Sequence, residues 1–328
     1  MNIFLFPALI SLLASVAVFT WGGFSALFLV VLLTILEITL SFDNAVVNAK
    51  VLQRMTPAWQ GRFLTWGIFI AVFGTRFIFP IFIVSAAAWL SPYAVTMLAF
   101  YDPAAYGERL ADARIAISAF GSAFLLLVSL KYFFNNRKTV HWIGVIERHL
   151  SRWGGIEAIE IALVLTVLLV CAFFLPLQAT TLLIAGLIGV VLFIVIEGVA
   201  QSFEIETGAS AAVGGAALFV YLNVLDSAFS LDGVIGAFAI TSALPIIVVG
   251  LGIGALFVRT FTVALVRAKT LDTLRYLEHG AHYAIFGLAL AMIFGIFVHV
   301  PEPLTGLVGL VFVGLAYWSS RREVDIKN

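Results

Sequence analysis

Long apolar runs alternate with short polar connectors along this chain. A membrane-spanning helix needs about 20 mostly apolar residues. Ten runs approach that length, over 3–20, 24–46, 63–88, 113–134, 156–174, 177–199, 212–237, 244–267, 280–298 and 304–320. The predicted class is all-α, a polytopic membrane helix bundle of about ten transmembrane helices. No basic segment precedes the run at 3–20, so it reads as a retained first span rather than a cleaved leader.

The connectors predict an orientation. Lys50, Arg54 and Arg62 follow the second span, and Lys131, Arg137, Lys138, Arg148 and Arg152 surround the loop after the fourth. Arg267, Lys269 and Arg275 follow the eighth, and Arg321, Arg322 and Lys327 follow the last. With ten spans, all four groups fall on one side. The positive-inside rule makes that side cytoplasmic, together with both termini, in a cell (inner) membrane. The connector 200–211 should share that side but carries Glu204 and Glu206 and no Lys or Arg. The stretch 91–112 is expected to be an outer loop. The basic amphipathic stretch His141–Trp153 is expected to lie on the lipid headgroups.

Composition narrows the function classes. Hydrophobic residues make up 62% and charged residues 11%, with a net charge of +0. A soluble domain carries about 25% charged residues. An ordinary soluble enzyme, a disordered chain and a nucleic-acid binder are excluded. The lipid bilayer is the expected surrounding, and self-association into a homo-oligomer is left open. Cys171 is the single cysteine, so no internal disulfide can form.

Two spans share an acidic pattern. The second contains Glu37, Ser41, Asp43 and Asn44; the seventh contains Asp226, Ser230, Asp232 and Gly233. The spacing is identical and ungapped. Each pattern is followed by an apolar span with one arginine near its middle, Arg76 in the third and Arg259 in the eighth. The two acidic helices are five spans apart, so they run in opposite directions. The pattern therefore predicts an inverted-topology repeat, with 24–134 as the first half, 135–211 as a linker with inserted spans and 212–320 as the second half. Secondary transporters built this way hold their sites near the midplane, at the repeat interface.

A charge at the bilayer centre is costly, so acids there are functional by default. At 100° per residue, Glu37, Ser41, Asn44 and Asn48 share one helical face, and Asp226 and Ser230 share the corresponding one. Asp43 and Asp232 lie about 120° away on a regular helix. Asn44 and Gly233 tolerate non-helical backbone, which predicts a break beside each aspartate. Carboxylate, hydroxyl and amide oxygens are hard ligands that suit Mn²⁺, Ca²⁺ or Mg²⁺. Four acids against Arg76 and Arg259 leave a charge of −2, which a divalent cation or shared protons would balance. Alternatively, each acid pairs with an arginine and locks the bundle.

These residues resemble the TerC family of integral membrane proteins, named for tellurium resistance. EITLSFDNAVV at 37–47 resembles its first signature, DSAFSLDGVIGAFAIT at 226–241 its second, and the segment 274–303 its late helix. The resemblance implies manganese export or metal supply to exported proteins, with Glu37, Asp43, Asn44, Asp226 and Asp232 as metal-site candidates. The chain departs from the family at Gly233, where serine is commoner, in the long stretch 91–112, and in the inserted spans at 156–199. It reads as a divergent branch.

The expected function is a divalent metal cation transporter, with Mn²⁺ as the exported substrate ion and no organic cofactor. The expected site holds Glu37, Ser41, Asp43, Asn44, Asp226, Ser230 and Asp232, with Arg76 and Arg259 balancing charge. A secondary site could draw on Glu160, Glu197, His279 and His282, the last two being three residues apart and expected to face the same way. Two alternatives remain: an exporter of amino acids or other small solutes, and a non-transport partner in metal delivery to secreted enzymes. An enzyme is not expected. Ser41 and Ser230 have no His or Lys base in their motifs, and no span carries a His-Glu-x-x-His zinc motif.

Overall fold

The structure, a computed structural model, describes residues 3–136, 138–205, 211–241, 243–298 and 300–327. Within the helices, the side chains at 87, 88, 199–205, 211–214, 231, 232, 239, 272, 302, 303, 305 and 324–327 are outside the described set. Asp232, Arg137, Glu204, Glu206 and Lys327 of the sequence reading thus lie outside it. Among the described residues every regular element is a helix.

In chain order the helices are α1 (Leu5–Leu40), α2 (Phe42–Leu52), α3 (Pro57–Phe69), a π-helical segment (Ile70–Ile78), α4 (Phe79–Ala88), α5 (Pro92–Tyr101), α6 (Pro103–Asp112), α7 (Arg114–Phe133) and α8 (Gly144–Trp153). Then follow α9 (Ile159–Phe174), α10 (Ala179–Ile205), α11 (Ala211–Ile240), α12 (Leu244–Arg267), α13 (Thr270–Thr273), α14 (Leu277–Phe297) and α15 (Glu302–Lys327). Among the described residues, seven stretches are long and apolar enough to cross a membrane: Leu5–Leu40, Pro57–Ala86, Arg114–Phe133, Ala179–Gly198, Gly215–Phe238, Leu244–Arg267 and Leu277–Phe297. The chain is an all-helical, membrane-embedded protein. The predicted run 156–174 falls on the shorter apolar α9, and 304–320 falls within α15.

The runs 3–20 and 24–46 share α1, yet α1 is not one rod. Gly23 has φ 69° and ψ −162°, a conformation that essentially only glycine adopts. The rings of Phe4 and Phe42 lie 5.4 and 6.1 Å from that of Phe261. A straight 36-residue helix would hold its ends about 54 Å apart. The chain therefore folds back at Gly23, and its two arms run side by side.

Small residues let the helices approach closely, as membrane packing without a hydrophobic driving force requires. The second arm of α1 lies on α12 at Gly250 and Gly254. A Cβ there would sit 2.7 Å from Leu33 Cβ and 2.5 Å from Glu37 Cβ. At Gly280, where α14 meets α15, a Cβ would sit 2.4 Å from Ala316 Cβ. Helix α7 occupies the centre and packs on both α10 and α14, while α11 packs on the π-helical segment and α3.

Several expectations are corrected. The stretch 91–112 is not a loop but two short helices, α5 and α6. Ser91 Oγ accepts from the Ala94 amide (3.2 Å) and Asp102 Oδ1 from that of Ala105 (3.1 Å), and a proline follows each cap. The expected breaks at Asn44 and Gly233 are not there. The first acidic helix breaks earlier, at Ser41 (φ −108°, ψ 12°), and α11 runs unbroken from Ala211 to Ile240. The stretch 141–153 does not simply rest on headgroups, because Glu147 of α8 is 0% exposed and turned into the protein.

The basic connectors meet at one end of the bundle. Lys50 Nζ lies 3.0 Å from Glu278, Arg275 Nη1 2.9 Å from Glu323, and Lys131 Nζ 3.4 Å from Glu160. At the same end, Glu147 takes the Lys138 ammonium at 2.8 Å and His279 Nδ1 at 2.9 Å, with His141 Nδ1 at 3.6 Å.

Candidate functional site

The two repeated motifs build one polar layer inside the apolar bundle. Glu37 ends the second arm of α1 and is buried against α12 and α11. Its Oε1 accepts from Arg76 Nη2 and from Ser41 Oγ, the latter at 2.8 Å. Arg76 stands on the π-helical segment, and its Nη1 also donates to the Ala71 carbonyl at 2.6 Å. Glu37 Oε2 lies 3.3 Å from the place a Cβ would occupy at Gly233 on α11.

The second motif repeats the arrangement. Asp226 Oδ2 accepts from Arg259 Nη2 at 2.8 Å. The guanidinium also donates to Asn223 Oδ1 (3.2 Å) and to the Phe63 carbonyl (3.3 Å), and it lies 4.3 Å over the Phe63 ring. Gly67 makes room for it, since a Cβ there would stand 2.3 Å from Arg259 Nη1. The two charge pairs are joined. Thr75, beside Arg76, is hydrogen-bonded to Ser227, beside Asp226, at 3.1 Å.

Glu37 and Asp226 thus have their charges matched by arginine. Asp43 does not. It is 3% exposed, and its carboxylate accepts the amide of Asn44 at 3.0 Å, with no cationic partner among the described residues. It faces α15 and α14, with its Cγ 3.8 Å from a Cβ position at Gly309. Three further oxygens nearby in the fold are buried and have no hydrogen-bond partner among the described residues: Asn44 Oδ1, Asn48 Oδ1 and Ser230 Oγ. The asparagines stand on α2 next to and one turn beyond Asp43. Ser230 stands one turn before Gly233, where α11 meets Glu37. Removing a buried acceptor from water without a partner costs about 1–3 kcal/mol. Three such atoms and an unpaired carboxylate suit a ligand that supplies positive charge.

The secondary candidates divide. Glu160, Glu197 and His282 line one cavity at the basic end of the bundle, together with Lys50, Lys131 and Glu278. His279 does not join them, because its Nδ1 is held by Glu147. The Tyr132 ring packs against both, stacked on His282 and edge-on to His279, but their polar partners differ. Sequence reasoning missed Glu147. Its carboxylate also accepts from the Trp142 and Ile143 amides (3.3 and 3.2 Å), so it closes the N-terminus of α8 from within. An acid one turn into a basic helix was the available signal. Among the described residues, no three His, Cys, Asp or Glu side chains are already assembled as a metal cage.

The family described as Protein of unknown function (DUF475) matches residues 42–325, which takes in Asp43, both arginines and the second motif and leaves Glu37 just outside. No match is found among curated proteins or among solved structures. With most of its length matched from Phe42 onward, the chain belongs to the DUF475 family.

Proposed function

We propose that the protein is a divalent-cation transporter that exports Mn²⁺ through a midplane site. One observation carries this reading: among the described residues, the buried oxygens of Asn44, Asn48 and Ser230 have no hydrogen-bond partner, and the Asp43 carboxylate next to Asn44 has no cationic one. Amide, hydroxyl and carboxylate oxygens are the ligands that hard cations take. Charge supports the same reading. With Glu37 and Asp226 matched by Arg76 and Arg259, the charge left in the repeated motifs is that of Asp43 and Asp232, and a divalent ion balances it. In this reading Glu37, Ser41 and Asp226 shape the site, and Asp43 and Asp232 meet the ion.

The two halves would act as inverted repeats, as the TerC resemblance implies. The matched pairs Glu37–Arg76 and Asp226–Arg259 support this. So does the packing, in which α1 lies on α12 and α11 on the helix that carries Arg76. Counting both arms of α1, together with α9 and α15, gives ten crossings, with both termini on the basic, cytoplasmic side of an inner membrane. Rocking of one half against the other would expose the ion to each side in turn.

The test is Mn²⁺ flux in vesicles that contain the purified protein. Asp43→Asn should abolish flux while leaving the protein folded. Flux unchanged by Asp43→Asn and Asp232→Asn removes the site assignment, and absent flux in the parent protein removes the function.

A further inference from the structure

A second polar place lies away from the midplane. A cavity of about 800 Å³ opens at the basic end, walled by α2, α7, α9, α10, α11 and α14. Two of its acids already have lysine partners, Glu278 with Lys50 at 3.0 Å and Glu160 with Lys131 at 3.4 Å. His282 is in a different state. It is 7% exposed, and its ring is stacked on Tyr132 with centroids 3.7 Å apart and planes 8° apart. Its Nδ1 lies 2.8 Å from the Glu278 carbonyl oxygen. A carbonyl only accepts, so Nδ1 carries the proton, and in the neutral form of the ring the lone pair sits at Nε2. Among the described residues Nε2 has no hydrogen-bond partner, and the ring lines the cavity.

A backbone carbonyl on one ring nitrogen is what fixes the tautomer and orientation of a metal-ligating histidine. The Tyr132 stack restrains the ring plane as well. The Glu278 carboxylate stands four residues earlier on α14, on the same face, and lines the same cavity.

We propose that this cavity is a second, hydrated cation site. His282 Nε2 and the Glu278 carboxylate take a divalent transition-metal ion, and Lys50 is the tethered cation that gives way to it. No third acid or histidine converges with them among the described residues, so the ion keeps most of its water. The space allows this, since four waters at about 30 Å³ each need only about 120 Å³. Two protein ligands hold an ion loosely, which suits a waiting place. Helix α2 joins the two sites: Val47 and Lys50 line the cavity, and Asn44 lies about 9 Å deeper along the axis at 1.5 Å per residue. The choice of ion rests on the transporter reading.

The test uses the full-length protein, Mn²⁺ as the probe and pulsed electron paramagnetic resonance. The midplane candidates offer only oxygen, so ¹⁴N modulation from an imidazole reports the cavity. Modulation is expected in the parent protein and in Asp43→Asn, retained in His279→Gln and lost in His282→Gln. Lys50→Gln should raise occupancy several-fold at a fixed Mn²⁺ concentration, because the competing ammonium is gone. A parent protein without ¹⁴N coupling at saturating Mn²⁺, or coupling that survives His282→Gln, overturns the proposal. If His282→Gln does not fold, the parent and Lys50→Gln spectra still decide. Modulation in a protein without flux would fail the transporter reading and leave this site standing.

Discussion

Thr75 and Ser227 meet at 3.1 Å between the helix that carries Arg76 and the helix that carries Asp226. The direction of the bond follows from counting protons. Ser227 Oγ gives its proton to the Asn223 carbonyl at 2.7 Å, so Thr75 donates across the interface, and its own carbonyl contact, to Ile70, is long at 3.4 Å. This bond couples the two charge pairs mechanically. Thr75→Val keeps the shape and removes the donor, and should cost about 1 kcal/mol, as a typical hydrogen bond does. Ser227→Ala should cost about as much, and the double variant less than the sum. Thermal unfolding of the four proteins in one detergent measures this. Full additivity would mean that the two hydroxyls do not interact.

The four acids should separate into two kinds. Asp226→Asn leaves Arg259 as an uncompensated charge in an apolar bundle, which costs about 3–5 kcal/mol. Asp43 has no such partner among the described residues. Asp43→Asn removes a buried charge and should leave the fold as stable or more stable. Melting temperatures should therefore fall sharply for Asp226→Asn and hold or rise for Asp43→Asn, while Mn²⁺ flux is lost in the second despite its stability. A large fall for Asp43→Asn would assign it a structural partner instead.

This division was only half legible in the sequence. Identical spacing predicted that Glu37 and Asp226 would have matching surroundings, and that each arginine follows its acid by one span, which is why both pairs form. Spacing alone could not say which acids the arginines would choose, because that depends on the π-helical turn that swings Arg76 toward Glu37. Ser91-Pro92 and Asp102-Pro103 were readable cap signals for α5 and α6. The burial of Glu147 was not readable. Periodicity identifies the polar face of α8, but the groups that cover it include His279, 132 residues away.

Gly67 offers a steric test of the Arg259 pair. A Cβ at this position would lie 2.3 Å from Nη1 of a guanidinium held on its other sides by Asp226, Asn223 and the Phe63 ring. The guanidinium has nowhere apolar to retreat. Gly67→Ala should destabilise by about 1–3 kcal/mol, in the range of an overpacked core. Gly61 lies on the same helix with nothing within 4 Å of its Cβ position, so Gly61→Ala should cost nothing and serves as the control. Thermal melts of the two variants side by side check it. Equal melting temperatures would mean that α3 can shift away from α12.

Glu147 predicts how acid should affect the basic end of the bundle. Burial alone would raise its pKa, but the hydrogen bond from His279 and the Lys138 ammonium prevail and lower it from 4.5 to about 2. A carboxylate held below its unfolded value stabilises the fold at pH above that value. The contribution fades as pH falls from 4.5 toward 2, because the unfolded chain takes up the proton first. Other carboxylates titrate in the same window, so the comparison is with Glu147→Gln. That variant should be less stable than the parent at neutral pH, and the gap should close as pH falls through the window. Pepsin is active in this range, and cleavage within 135–143 reports release of α8. Parent and variant should be cut at clearly different rates near pH 4 and at similar rates near pH 2. A gap that stays constant across the window would mean that Glu147 holds α8 by shape and hydrogen bonding rather than by charge.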